Sequence, residues 1–287
     1  MLGSQSFPER LSLVASFSVC SYDSDLTDDQ WQMIRRFLPR RKAGRRGRTV
    51  DMRHVINGIF YITVNGCKWR NLPKDFPPWE TVYRYFNHMS EYGHWAKIQA
   101  ALYELMRSRE GREAEPSFVA LDSQSVKTGK CASEDTRGFD GGKRIKGRKR
   151  HVIVDTLGNI VDAIVTKANE HDTKGGMKLL RKLKSRWKLN RLKKLVADKG
   201  YQGKEFSQYV KINFDADVEI GENHTSPETG FVPAQKRWLV ERGFAWFGDY
   251  RRLSVDYERL IRNSESMLRL GMIRLMLRRL FPVPSLW

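Results

Sequence analysis

FVALDSQSVKT (residues 118–128) and KLVADKGYQG (residues 194–203) share one local pattern, a short apolar run that stops at an aspartate. Phe118-Val119-Ala120-Leu121 leads to Asp122, and Leu195-Val196-Ala197 leads to Asp198. Short apolar runs bounded by polar, turn-forming residues read as buried strands. Between the two runs, His151–Asp155 and Ile160–Val165 flank the turn-like Thr156-Leu157-Gly158-Asn159 and read as a hairpin. Met177–Trp187 reads as a helix with Leu179, Leu180 and Leu183 inward. Glu205–Ile212 fits a helix and Ala216–Ile220 a strand, and two more helices cover about Lys236–Phe247 and Val255–Leu280. The order β, β-hairpin, α, β, α, β, α places residues 117–287 in the layered α/β class.

Asp122 and Asp198 thus both read as standing at the C-terminal end of an apolar strand, where α/β sheets meet their ligands. Two neighbouring carboxylates there suit an oxygen-ligated divalent cation such as Mg²⁺, and paired ions of this kind serve phosphoryl transfer. The plainer alternative is that each caps a turn or pairs with an arginine. A third carboxylate would come from the last part of the chain, where Glu241, Asp249, Asp256 and Glu258 are the candidates. Glu241 lies four residues after Arg237 and borders the apolar stripe Val240, Phe244, Phe247, which favours it narrowly.

Outward from this α/β segment, the N-terminal part reads as helical. Thr27-Asp28-Asp29-Gln30 is a capping box, with Leu26 and Trp31 placed as a hydrophobic staple. A first helix runs to Pro39, a second from Asp51 to about Val64 with Gly66 beyond its end, and a third starts at Pro78-Trp79. The third helix packs Val82, Phe86 and Met89 and turns Thr81, Arg84 and His88 outward, with Asn87 beside them. Arginine and asparagine can read guanine and adenine edges, so this face is a candidate base reader in a small all-α, helix-turn-helix-like domain over residues 25–106. Residues 1–24 read as a disordered extension and Arg107–Pro116 as a linker.

Fifty-two Lys and Arg against thirty-three Asp and Glu leave a formal charge of +19, which makes nucleic acid the leading partner. The charge is clustered in three acid-free runs, at 35–48, 143–150 and 178–194. Arg45, Arg46 and Arg48 in the first, and Lys143, Arg144, Lys146, Arg148, Lys149 and Arg150 in the second, read as phosphate contacts. A hydrophobic share of 40% excludes wholesale disorder. No apolar run is long enough to span a bilayer. Three scattered cysteines without Cys-x-x-Cys spacing argue against a disulfide scaffold or structural zinc and for a cytoplasmic setting. The stretch Gly138–Gly147 lacks the spacing of a phosphate-binding loop, so no nucleotide cofactor is expected. His171-Asp172 reads as a structural turn, with a supporting role beside the carboxylates as the alternative.

Seven stretches, in order, resemble bacterial insertion-sequence DDE transposases of the insertion-sequence-five type. They are LTDDQW (26–31), GCKWRNLP (66–73), FPPWETVYRYF (76–86), LDSQSVKT (121–128), GRKRHVIVDTLG (147–158), ADKGYQG (197–203) and RWLVERGFAWF (237–247). The resemblance implies a ribonuclease H-like catalytic domain and a metal-binding triad of Asp122, Asp198 and Glu241, served by Mg²⁺ with Mn²⁺ as substitute. It also implies an N-terminal domain that holds transposon ends, cleavage and strand transfer on double-stranded DNA, and a homodimer on that DNA in the bacterial nucleoid. A related pattern around the third acid is Tyr-x2-Arg-x3-Glu-x6-Lys. Arg237 and Glu241 fit it, whereas Ala234 and Gly248 replace its Tyr and Lys, leaving Arg251 and Arg252 as substitute phosphate contacts. Two other readings are a DNA-binding remnant or repressor that no longer cuts, and a nuclease of the same fold without strand transfer.

Overall fold

A computed structural model of the chain describes residues 22–39, 50–186, 189–221, 224–226, 230–232 and 238–282. The capping box forms as read: Thr27 Oγ1 accepts from Gln30 N, and Gln30 Oε1 accepts from Thr27 N, both at 3.3 Å. It opens α1 (Asp28–Arg35). Helix α2 (Met52–Asn65) is capped by Asp51, which accepts from Arg53 N at 2.8 Å. It ends at Gly66, whose φ of 71° lies in the left-handed region that glycine adopts without penalty. Helix α3 (Trp79–Glu91) buries Val82, Phe86 and Met89, the stripe its periodicity predicts. Helix α4 (His94–Arg109) runs three residues into the stretch read as a linker, and Arg107 there is buried, donating to Asp155 at 2.6 Å.

The sheet begins with β1 (Phe118–Lys127), β2 (Gly138–Asp140), β3 (Ile145–Asp155) and β4 (Ile160–Lys167). Helix α5 (Asp172–Arg186), β5 (Lys194–Ala197), α6 (Lys204–Phe214) and β6 (Asp217–Ile220) follow. The small hairpin β7 (His224–Ser226) and β8 (Gly230–Val232) precedes α7 (Trp238–Gly248), α8 (Arg251–Ser254) and α9 (Ile261–Leu280). The main sheet runs β3-β1-β5-β6, and β2 and β4 pair with β3. Strands β1, β3 and β4 form an antiparallel meander, while β5 and β6 lie parallel to β1. The order β4-β3-β1-β5-β6 with these directions fits a ribonuclease H-like fold.

Two helices cover opposite faces. At Gly176 of α5 an added Cβ would lie 2.7 Å from Tyr201 and 3.0 Å from Leu121, so α5 covers the Leu121 face. At Gly243 of α7 a Cβ would lie 3.3 Å from Val154, so α7 covers the Val154 face. Side chains alternate along a strand, and Asp122 is paired with Val152, two residues from Val154. Asp122 therefore belongs to the α7 face, and Ser123 to the α5 face with His151.

The structure does not set the N-terminal helices apart as a domain of their own. Leu26, Ile59, Phe86 and Trp95 share one continuous apolar core with the sheet and with α9. Gln99 of α4 donates to Val161 O of β4 at 3.0 Å, and Tyr103 donates to Asp155 at 3.0 Å. Helix α9 is the hub of this packing and is buried on nearly every side. Its arginines are accommodated by partners: Arg269 on Asp162 at 2.9 Å and Arg274 on Ser24 O at 3.0 Å. Among the described residues no helix is long and apolar enough to cross a membrane.

Candidate active site

Strands β1 and β5 are in parallel register, with Leu121 opposite Ala197. The next residue of each is therefore an aspartate, Asp122 beside Asp198. One expectation needs correction here: β1 does not stop at Asp122. It runs to Lys127, because pairing with β3 continues as far as Lys127 opposite Gly147 while β5 ends at Ala197. Asp122 is thus mid-strand, at the level where its parallel neighbour gives way to a turn. Both aspartates are half-buried.

Local hydrogen bonds hold each carboxylate. Asp122 Oδ1 accepts from Ser123 N at 2.6 Å. Asp198 caps the short 3-10 turn Lys199–Tyr201, with Oδ1 accepting from Gly200 N at 3.0 Å. Behind them lies a polar cluster that includes Asp172, which the sequence reads first as a turn residue and only alternatively as a support for the carboxylates. Asp172, the first residue of α5, accepts from Ser123 Oγ at 2.7 Å and pairs with Lys149 Nζ at 3.0 Å. His151, fully buried, contacts Thr166 Oγ1 at 3.0 Å and the Tyr201 hydroxyl at 3.4 Å. Burial pushes its imidazole down to about 4, so it is neutral near pH 7. The Tyr201 hydroxyl is pushed well up by burial and by the carboxylates of Asp172, Asp122 and Asp198. Three aspartates therefore act on one buried phenol.

The four candidates for a third carboxylate separate clearly. Asp256 is buried on Arg148 Nη1 at 3.2 Å and accepts from Ser264. Glu258 is buried on Arg252 at 2.7 Å; burial raises its carboxyl, against the pull of Arg252. Both are engaged inside the fold. Asp249 is exposed. Glu241 lies exposed in the first turn of α7, the helix that packs over the Asp122 face. Among the described residues no three His, Cys, Asp or Glu converge closely enough to hold a metal ion. As a donor set, Asp122 and Asp198 fit a hard divalent cation; Glu241 is carried by the helix that packs over the Asp122 face, but on that helix's exposed side, away from the buried Leu239, Val240, Gly243 and Phe247.

The residues read as DNA contacts divide sharply. Arg84 and His88 are exposed on α3 and Thr81 is half-buried; Asn87 accepts from Asn263 Nδ2 of α9 at 2.7 Å. Lys143, Arg144 and Lys146 are exposed around the β2–β3 turn, and Lys143 Nζ reaches Ser123 O at 3.4 Å, next to Asp122. Arg251 is exposed as well. Arg148, Lys149, Arg150 and Arg252 are corrections: they are 0%, 7%, 3% and 6% exposed and cannot lie along phosphates in this fold. Each is on a strand or helix face turned inward, and three have internal acids, Asp256, Asp172 and Glu258. Burial pushes Arg150 down to about 10. Arg45, Arg46, Arg48 and Arg237 lie outside the described residues.

Two family models match the chain: a putative transposase of the IS4/5 family over residues 26–99, and a transposase DDE domain over residues 113–276. An uncharacterised protein, y4sN, of Sinorhizobium fredii is 29% identical over 122 residues, 42% of this chain and 86% of the relative. A putative transposase for insertion sequence element IS402 of Burkholderia cepacia is 30% identical over 133 residues, 44% of this chain and 60% of the relative. Among solved structures, a piggyBac transposase synaptic complex with hairpin DNA aligns at a TM-score of 0.29 and 12% identity, covering 43% of this chain and 27% of that one. A simian T-cell lymphotropic virus intasome aligns at 0.30 and 18% identity, covering 46% and 38%. Neither superposition is close enough to carry an argument, whereas the DDE-domain match spans more than half the chain, both aspartate motifs and Glu241. The chain belongs to the insertion-sequence DDE transposases.

Proposed function

We propose that this protein binds the terminal inverted repeats of its insertion sequence and catalyses metal-dependent strand cleavage and strand transfer there. Asp122, Asp198 and Glu241 are the carboxylates that hold Mg²⁺, for which Mn²⁺ can substitute. The observation that carries the reading is the register of β1 and β5, with Leu121 opposite Ala197, so that Asp122 and the residue that follows β5, Asp198, are neighbours. Divalent ions bound there supply activation of a water or a 3′-hydroxyl and stabilise the leaving oxygen.

The rest falls to the chain's own residues. Asp122 and Asp198 present oxygens held by backbone N–H groups, so little reorganisation is needed when a cation arrives. Glu241 supplies the third carboxylate from α7, which requires its side chain to swing toward the sheet. No side-chain nucleophile is called for, since water and the DNA hydroxyl attack. Lys143, Arg144 and Lys146 flank the site and neutralise phosphates of the strand to be cut, with Arg251 as a further contact. Arg84 and His88 on α3 face outward to read the transposon end, and residues 25–106 carry that recognition. The protein works on DNA in the bacterial cytoplasm, as a homodimer that pairs two ends.

The test is cleavage of a labelled terminal repeat by the full chain, with and without Mg²⁺. Wild type should nick at the repeat end only with the metal and then join the freed 3′-hydroxyl to target DNA, and Asp122→Asn should lose both steps. Binding without any cutting would identify a repressor-like remnant. Cutting without joining would identify a nuclease.

A further inference from the structure

Asp172 has a position that a mere turn residue does not need. Its Oδ1 accepts from Ser123 Oγ at 2.7 Å, and Ser123 is the residue after Asp122. Its Oδ2 would lie 2.9 Å from a Cβ on Gly200, and Asp198 Oδ1 would lie 3.1 Å from that same atom. Both carboxylates thus lie against Gly200, which belongs to the turn that Asp198 caps. One side chain therefore abuts both halves of the proposed metal pair.

Its charge matters as much as its shape. Lys149 is 9% exposed at the side chain, and its ammonium rests on Asp172 Oδ1 at 3.0 Å and on Glu170 O at 2.9 Å. A buried ammonium needs an anion, and the carboxylates that act on Lys149 are Asp172, in direct contact, and Asp140. Without Asp172 the ammonium would stand less compensated behind the Asp122–Asp198 pair, where its positive charge opposes a divalent cation.

Resting on the metal-binding reading above, we infer that Asp172 is a positioning residue for the Asp122–Asp198 pair. It fixes the backbone beside Asp122 through Ser123, abuts Gly200 of the turn that Asp198 caps, and neutralises Lys149 so that the ammonium does not oppose the cation. Groups that orient metal ligands from behind typically change affinity by about 10–100-fold when altered.

Calorimetric titration of the full chain with Mn²⁺ tests this directly. Asp172→Asn keeps the shape and can still accept from Ser123, but it releases the ammonium, so Mn²⁺ affinity should fall by about 10–100-fold. Adding Lys149→Met to that variant removes the competing charge and should recover most of the loss, which a simple folding defect would not do. Ser123→Ala removes only the tether, and should give a smaller loss that Lys149→Met does not repair; this arm serves if Asp172→Asn does not fold. Unchanged Mn²⁺ affinity in Asp172→Asn, or no recovery with Lys149→Met, overturns the inference while leaving the metal pair standing. In the Ser123→Ala arm, unchanged affinity overturns it. Wild type that binds no Mn²⁺ overturns the metal pair and this inference together.

Discussion

The basic run Lys143–Arg150 is one stretch in the sequence and two different regions in the molecule. Its first half, Lys143, Arg144 and Lys146, stands in solvent at the β2–β3 turn. Its second half, Arg148, Lys149 and Arg150, is buried in β3. The exposed half is turned toward the site, with Lys143 on Ser123 O, and is available to phosphates. The buried half is committed to acids from distant parts of the chain: Arg148 to Asp256, and Lys149 to Asp172. Local charge density therefore does not locate a DNA surface. Whether a cation faces outward depends on partners that the local run does not contain.

The largest effect should come from the buried half. Arg148→Ala leaves Asp256 buried without its guanidinium, and Arg148 also donates to Glu258 O and Thr136 Oγ1. Losing one partner of a buried pair costs about 3–5 kcal/mol, so urea unfolding should show a clearly lower midpoint. A midpoint within error of wild type would break the comparison, because Arg148 would then behave as a surface residue.

The exposed half should do the reverse. Replacing Lys143, Arg144 and Lys146 by alanine should change stability by no more than about 0.5 kcal/mol, as is usual for surface substitutions. It should also flatten the salt dependence of DNA affinity, by about 0.9 in log–log slope for each phosphate left without its cation. An unchanged slope would show that the hairpin turn does not lie on DNA.

Much of the fold was legible because its signals are local. The Thr27–Gln30 box, the Asp51 cap, the left-handed Gly66 and the Val82-Phe86-Met89 stripe all depend on residues within a turn or two of one another. The hairpin, the first half of β1 and β5 were legible from apolar runs. The second half of β1 was not, since Asp122-Ser123-Gln124-Ser125 is polar and reads as loop. It stays extended because β3 pairs with it throughout and because Ser123 and Ser125 find acids, Asp172 and Asp140, on one face. The surroundings of Asp172, read first as a turn residue, were not legible for a related reason: its partners Ser123, Lys149 and Gly200 come from three separate segments. Glu258 reads in sequence as one of four candidates for the third carboxylate, whereas burial and its pair with Arg252 make it part of the core.

The contrast among the late carboxylates sets the most direct measurement. Of the four, Asp256 and Glu258 are locked to arginines, which leaves Glu241 as the acid that α7 carries over the Asp122 face. Cleavage of a labelled terminal repeat should be compared for wild type, Glu241→Gln and the exposed control Asp249→Asn, with circular dichroism confirming that each is folded. Glu241→Gln should cut several orders of magnitude more slowly while still binding the end, because it loses the charge that helps hold the metal but none of the groups that position DNA. Asp249→Asn should cut as wild type does. A folded Glu241→Gln variant that cuts at the wild-type rate would contradict the assignment of Asp122, Asp198 and Glu241 as the catalytic carboxylates.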